Sequence, residues 1–380
     1  MKNKFDLNEF IDQGNLFITA TLNQLSLLGF TVNDLLIDHV CFRVETLDEY
    51  LYYKSELLTH GKLLSQAQIN GRAISTILLN NGFSYQNKKI NIIELPSPKE
   101  LSSYKTGFEH IECVISDSFS AFQPKYPQLQ LSRSGPKNFN AELVLKTASG
   151  QVKFHHIKLD RVIEIEESKF TDIIFDFDGT LIESRDKIYD LNSRVFSKAL
   201  SREVTMAEAK DKFHSTFEKL FEAFLIIDPI VKKKTADDWQ SESKKIEYEL
   251  LPNIFKMLTT LKDLGYRLHL WTARDEESGR VTLDQHQLTS FFTTLSFATI
   301  HSSKPAVENL RFDWFRAMPN SVIVVGDTAS DVQGAKNIKA VAVGAIWERE
   351  DHEASLRKAG VEVCFSDPNE FLIWLQHRHT

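Results

Sequence analysis

The sequence predicts two domains of different class, an N-terminal α+β domain followed by a C-terminal α/β domain built on a doubly wound parallel sheet. The first observation behind this is length. At 380 residues the chain exceeds what one hydrophobic core ordinarily serves. The second and third are patterns. Between Ile37 and Ile157 short apolar runs are broken by turn residues, whereas beyond Thr171 apolar strands alternate with helical stretches. Such alternation indicates a parallel sheet covered by helices on both faces. The acidic stretch Ile163-Glu164-Ile165-Glu166-Glu167-Ser168-Lys169 separates the two patterns, which sets the domains at residues 1–168 and 169–380.

Composition narrows the class. Hydrophobic residues make up 42% and charged residues 26%, the balance of a folded globular chain. Acidic residues outnumber basic ones, 52 to 45, for a formal charge of −7, which argues against nucleic acid or anionic membrane as a partner. The first twelve residues are polar and of mixed charge, and no stretch reaches the roughly 18 apolar residues of a membrane span. A cytoplasmic protein is expected. Cys41, Cys113 and Cys364 are odd in number and far apart, so they are read as buried thiols rather than a disulfide framework. Oligomeric state is not legible.

In the first domain, Phe10, Ile11, Phe17, Leu22 and Leu25 fall at helical spacing ahead of Gly29, which predicts a helix over about 7–28. Strands follow at 40–44, 73–79, 90–95, 110–115, 142–145 and 152–157. Two begin alike, Ile37-Asp38-His39-Val40 and Phe108-Glu109-His110-Ile111, which hints at a duplicated unit. His39, Glu94, His110, His155 and His156 each lie in or just after a predicted strand, and imidazole with carboxylate suits a divalent transition metal. A lone histidine on a strand is more often a core or surface residue, so residue type alone leaves both readings open.

The sharpest signal in the second domain is Asp176-Phe177-Asp178-Gly179-Thr180, directly after the apolar run Ile173-Ile174-Phe175. Two carboxylates at the carboxyl end of a buried strand lie where α/β sheets place ligands. They suit a hard cation with a substrate phosphate, and a carboxylate beside that cation can attack phosphorus. The strand 268–271 ends at Thr272, a hydroxyl able to hold a phosphate oxygen. Ser303-Lys304-Pro305 offers an ammonium, and 322–325 runs into Gly326-Asp327-Thr328-Ala329-Ser330-Asp331 with two more carboxylates.

In this order the motifs resemble the haloacid dehalogenase-like (HAD) superfamily over roughly 170–367, in particular its phosphoglycolate phosphatase-like branch. The resemblance implies an Mg²⁺-dependent phosphohydrolase. Asp176 is then the nucleophile, Asp178 the general acid and base, Thr272 and Lys304 hold the phosphate, and Asp176, Asp178 through its main-chain carbonyl, Asp327 and Asp331 form the Mg²⁺ site. The stretch 184–250 resembles that branch's helical cap, where Arg185, Lys187, His214 and Lys219 are candidate specificity groups. The implied partner is a small phosphorylated metabolite. The first domain, through Asp38-His39-Val40-Cys41-Phe42-Arg43, Ile93-Glu94-Leu95-Pro96, Gly107-Phe108-Glu109-His110-Ile111-Glu112 and Lys153-Phe154-His155, resembles the YecM family of the vicinal oxygen chelate (glyoxalase-like) superfamily. That resemblance implies two paired βαβββ units around a second, divalent transition metal, with His39 and Glu94 from one unit and His110 and His155 from the other; His156 stands where the family would have proline. A phosphomutase, and a ligand-binding scaffold with an idle HAD half, are the alternative readings.

Overall fold

A computed structural model describes residues 5–69, 71–99, 104–127, 129–132, 141–214, 217–298, 304 and 321–376. The chain divides into two compact units, Met1–Glu167 and Ser168–Thr380. Among the described residues no helix is long and apolar enough to cross a membrane.

The first unit opens with helix α1 (Leu7–Leu27), started by Asp6, whose carboxylate accepts from the Asn8 and Glu9 amides and so satisfies orphan donors of the first turn. Then come β1 (Leu36–Arg43), α2 (Leu47–Leu58), β2 (Gly61–Ile69), β3 (Arg72–Tyr85), β4 (Lys88–Pro96), β5 (Gly107–Val114), α3 (Phe119–Phe122), β6 (Gln130–Ser132), β7 (Glu142–Lys146), β8 (Gln151–His155) and α4 (Leu159–Glu167). The strands form one sheet in the order β2-β3-β4-β1-β5-β8-β7-β6. Each half is a βαβββ unit whose first strand pairs in parallel with its last, β1 with β4 and β5 with β8, and the two first strands meet antiparallel at the centre. The paired βαβββ fold is therefore present. Strand alternation sorts the side chains. Val40, Ile93, Leu95, Ile111, Val152 and Phe154 join Ile18, Leu22 and Leu25 of α1 in one core, which leaves the opposite face of the same strands to polar residues.

The second unit contains β9 (Asp172–Phe175), β10 (Ile182–Glu183), α5 (Arg185–Leu200), α6 (Met206–Asp211), α7 (Phe217–Ala223), α8 (Pro229–Ser243), β11 (Glu249–Leu250), α9 (Ile254–Asp263), β12 (Arg267–Asp275), α10 (Glu276–Gln285), β13 (Phe292–Ala298), β14 (Val322–Gly326), α11 (Ala329–Asn337), β15 (Val341–Ala345), α12 (Glu353–Ala359), β16 (Val363–Phe365) and α13 (Pro368–Gln376). Six strands make a parallel sheet, β13-β12-β9-β14-β15-β16. Every residue of β9, β14 and β15 is buried, as a sheet covered on both faces requires. Helices α5 to α8, inserted between β10 and β11, have a core of their own, in which Phe196, Leu220, Phe221, Phe224 and Ile226 pack together. Strand β12 runs on to Asp275, past the end expected at Thr272. Its pairing with β9 nevertheless stops at Leu270, so Thr272 lies beyond the central ladder.

The start of β9 is tied down by charge. Asp172 is fully buried and accepts from Arg267 Nε and Nη2, both at 2.7 Å, from Thr171 Oγ1 at 2.6 Å, and pairs with His269 Nε2 at 2.9 Å. Burial alone would raise its pKa, but His269, Arg267 and Thr171 hold it below the ordinary value. Asp172→Asn is expected to cost about 2 kcal/mol near neutral pH, less than a fully buried pair because water reaches the half-exposed Arg267. A carboxylate with a depressed folded pKa contributes stability above its unfolded pKa and loses it as pH falls through the folded one. The gap between wild type and variant, measured by urea unfolding, should therefore close below about pH 4; a gap that widens in acid would contradict this.

Candidate functional site

In the second unit, β9 delivers Asp176 to the carboxyl edge of the sheet, and the Asp176 amide donates to Val325 O at 2.9 Å, extending the pairing with β14. The chain then reverses. Leu181 and Ile182 amides donate to Phe177 O, and Gly179, at φ +80°, donates to Ile182 O. A Cβ on Gly179 would stand 2.5 Å from Asp327 Oδ2 and 2.8 Å from Glu348 Oε2, so glycine is required twice, for its backbone and for its bareness.

That close approach packs carboxylates together. Asp176, Asp327 and Asp331 are all buried, and each can offer an oxygen within 4.8 Å of the others. Burial, reinforced by Asp331 and Asp327 and opposed by Lys304, pushes Asp176 up to about 8. Asp327 stays below its ordinary value: burial opposes its charge, but Arg185 and His352 overcome it. Arg185 donates to Asp327 Oδ2 from Nη2 at 2.6 Å and Nε at 3.1 Å, while Asp327 Oδ1 is buried with no partner. Three converging carboxylates, an orphaned oxygen and a glycine cradle fit a small hard cation. Asp331 also caps α11, with Oδ2 accepting from the Thr328 amide and hydroxyl at 2.9 and 2.6 Å, and its Oδ1 accepts from Lys304. Lys304 Nζ lies 2.7 Å from Asp176 Oδ1 and 3.9 Å from the centre of the Trp271 ring. Its expected neighbours Ser303 and Pro305 lie outside the described residues.

The Asp178 side chain stands apart from the three carboxylates. Arg274 grips it through Nε at 3.1 Å and through Nη2, and stacks 4.1 Å over the Tyr248 ring. Burial pushes Asp178 up but Arg274 prevails, so its carboxyl is held below the ordinary value. Thr272 is fully buried and accepts from the Arg274 amide at 3.0 Å. Asp176, Asp178, Thr272 and Lys304 line one pocket with Arg185, Arg274 and cap residues including Asn192, His214, Phe217 and Trp239. Of the cap candidates, Arg185 and His214 thus reach the pocket. Lys187 instead donates to Glu247 O at 2.8 Å, and Lys219 is exposed on α7. Sequence reasoning passed over Arg274 and Glu348. Glu348, whose Oε1 accepts from the Ser184 and Arg185 amides, is pushed up to about 7 by burial and by Asp327.

In the first unit the polar face of the sheet brings His39, Glu94 and His110 together with Glu112, all within 4.8 Å. Glu112 escaped notice in the sequence, although it follows His110 by two residues on the same strand and so shares its face. His155 falls in a neighbouring group with Asp38 and His39. Its Nε2 is buried without a hydrogen bond, 3.6 Å from Glu112 and 3.7 Å from Asp38. The repeated acid-histidine pairs act alike, since Asp38 meets His39 Nδ1 at 3.0 Å and Glu109 meets His110 Nδ1 at 2.6 Å. A carboxylate on Nδ1 fixes the ring and turns Nε2 inward. Burial opposes charge on His39, but Glu112 and Asp38 carry its pKa up to about 10. On His155 burial wins and the pKa falls.

A doubly wound sheet with this carboxylate and lysine constellation at its strand ends, under a helical cap, defines a hydrolase, an enzyme of the HAD-like phosphatase class. The family comparison agrees. Residues 173–345 match the haloacid dehalogenase-like hydrolase model and residues 6–166 match the YecM protein model. Among curated relatives, the pyrophosphatase PpaX of Bacillus mycoides is 25% identical over 187 residues, 47% of this chain and 85% of its own. Protein YecM of Escherichia coli is 27% identical over 169 residues, 40% of this chain and 89% of its own. A solved structure titled a predicted phosphoglycolate phosphatase, from Haemophilus somnus, aligns with 55% of this chain and 100% of its own at 17% identity and TM-score 0.47.

Proposed function

We propose that the second unit hydrolyses the phosphate monoester of a small metabolite through an aspartyl-phosphate on Asp176. The observation that supports this most is the meeting of Asp176 with Lys304, Asp327 and Asp331 at the strand ends. Asp176 attacks phosphorus, and the leaving oxygen takes a proton from Asp178, which is ionised while Arg274 holds it and so must take up a proton as substrate binds before it can act as the acid. Arg274 sets the direction of the Asp178 carboxyl. The same carboxylate then draws a proton from the water that releases phosphate. Lys304 and Thr272 bind the phosphoryl oxygens, and Asp331 holds Lys304 in place. Asp176 and Asp327, with the Asp178 carbonyl, would hold Mg²⁺, with Asp331 in reach. Bound there, Mg²⁺ supplies charge neutralisation at the phosphoryl group. The test is phosphate release from a panel of phosphomonoesters by the full-length protein, in Mg²⁺ and in EDTA. Turnover that EDTA leaves intact would refute the metal dependence.

For the first unit we infer a divalent transition-metal site formed by His39, Glu94, His110 and Glu112, with His155 beside it. Mixed imidazole and carboxylate ligands suit such an ion, and the orphaned His155 Nε2 supports a missing partner. Protein purified without chelators is expected to carry one transition-metal ion per chain by elemental analysis, and His110→Ala to lose it. An unchanged metal content in that variant would dismiss the assignment.

A further inference from the structure

We propose that the leaving group of the substrate is an apolar planar ring bearing a hydrogen-bond acceptor, seated against Phe213, Phe217 and Trp239 and read by the Asn192 amide. This rests on the phosphatase reading of the same pocket and specifies its substrate.

The cap side of the pocket is largely apolar, with Ile188 from α5, Phe213, Phe217 and Leu220 around α7, and Trp239 from α8, set beside the polar Asn192 and His214. Phe217 and Trp239 meet edge to face, with centroids 5.3 Å apart and planes at 90°. Such a corner favours a flat ring. The cations of the pocket are already engaged. Arg185 is bound to Asp327, Arg274 to Asp178, and Lys304 to Asp176 and Asp331. Among the described lining residues the remaining basic group is the imidazole of His214, and Asp275 adds a further carboxylate. A second phosphate or a carboxylate on the leaving group would thus meet aromatic surface where it needs unpaired positive charge.

Asn192 supplies the polar element. It is fully buried, and its Oδ1 accepts from Trp239 Nε1 at 2.8 Å. An indole nitrogen only donates, so the amide oxygen must face Trp239 and the NH₂ must point elsewhere. That Nδ2 is buried with no partner, a state that buried amide donors seldom keep. A carbonyl or ring nitrogen on the ligand completes it.

The test compares esters whose leaving alcohols are of similar basicity, so that chemistry does not mask recognition, and adds pyrophosphate, an anhydride with a better leaving group, as a polyanion that chemistry alone would favour. Full-length protein in Mg²⁺ is assayed with benzyl phosphate, the three isomeric pyridylmethyl phosphates, ethyl phosphate, pyrophosphate and phosphoglycolate. The ring esters are expected to exceed ethyl phosphate and both polyanions at least tenfold in kcat/KM, mainly through KM, and at least one pyridylmethyl isomer to exceed benzyl phosphate several-fold. Asn192→Asp, which keeps the acceptor toward Trp239 but removes the donor, should erase the preference among rings. Phe217→Ala should erase the preference for rings. Pyrophosphate or phosphoglycolate turned over as well as the ring esters would overturn the proposal. Binding is measured in parallel by calorimetry on the full-length Asp176→Asn protein, with benzylphosphonate against ethylphosphonate. At least tenfold tighter benzylphosphonate binding is expected, and equal affinities overturn the proposal even if no ester is hydrolysed. Ring-selective binding without any turnover by wild type would support it and count against the hydrolase reading alone.

Discussion

Asp176→Asn is expected to lower phosphomonoester turnover by about 10³-fold or more while leaving the fold intact. The amide oxygen can still accept from Lys304, which now approaches Asp176 Oδ1 at 2.7 Å, so the site keeps its shape. What it loses is a second oxygen able to bond phosphorus. The crowding of Asp176 with Asp327 and Asp331, which pushes its carboxyl up to about 8, also means that an uncharged side chain is tolerated there. Thermal unfolding within a few degrees of wild type, together with loss of phosphate release, is the predicted pair of results. Retained turnover would remove Asp176 from the role of nucleophile.

Mg²⁺ is expected to raise the unfolding midpoint of the second unit, and Asp327→Asn to abolish that rise. A cation at 100 times its dissociation constant stabilises by about 2.7 kcal/mol, which for a unit of this size corresponds to about 5–10 °C. Asp327 is the residue to change because its Oδ1 is the buried oxygen without a partner, whereas both oxygens of Asp331 are already engaged by Thr328 and Lys304. Activity in the variant should fall more than 100-fold. A full Mg²⁺-dependent shift in Asp327→Asn, followed by differential scanning calorimetry, would relocate the cation.

The strands legible in the sequence were those in the middle of the sheets. Read from apolar runs, β1, β3, β4, β5, β7 and β8 emerge in the first unit and β9, β12, β14 and β15 in the second. The strands passed over in the two large sheets are β2, β6, β13 and β16, which are their edges. Edge strands pair on one side only and tolerate polar residues, as Gly-Lys-Leu-Leu-Ser-Gln-Ala-Gln-Ile in β2 illustrates. Their apolar signal is therefore weak for a physical reason. The short antiparallel pair β10-β11 was missed because two-residue strands carry no period at all.

The same contrast holds at the sites. Asp176, Thr272 and Asp327 were visible because the end of a buried strand is itself a local signal. Arg274, Glu348 and Asn192 matter through partners 96, 164 and 47 residues away, and no local pattern encodes such pairings. Glu112 is the exception, since its spacing from His110 on one strand face was there to be read.

The antiparallel seam between β1 and β5 makes the first unit a closed pair of halves, and its symmetry has a price in independence. Either half alone would end at the seam in a strand with an unanswered row of backbone donors and acceptors, a surface that recruits another chain. Two such halves could meet only at a concentration-dependent rate; joined in one polypeptide, they meet as an intramolecular event. The cluster inherits that dependence, because His39 and Glu94 come from one half and His110 and Glu112 from the other. The two halves are not equivalent at the cluster: the last strand of the first half brings Glu94 into the group with His39, His110 and Glu112, whereas the last strand of the second brings His155 to the neighbouring group with Asp38 and His39.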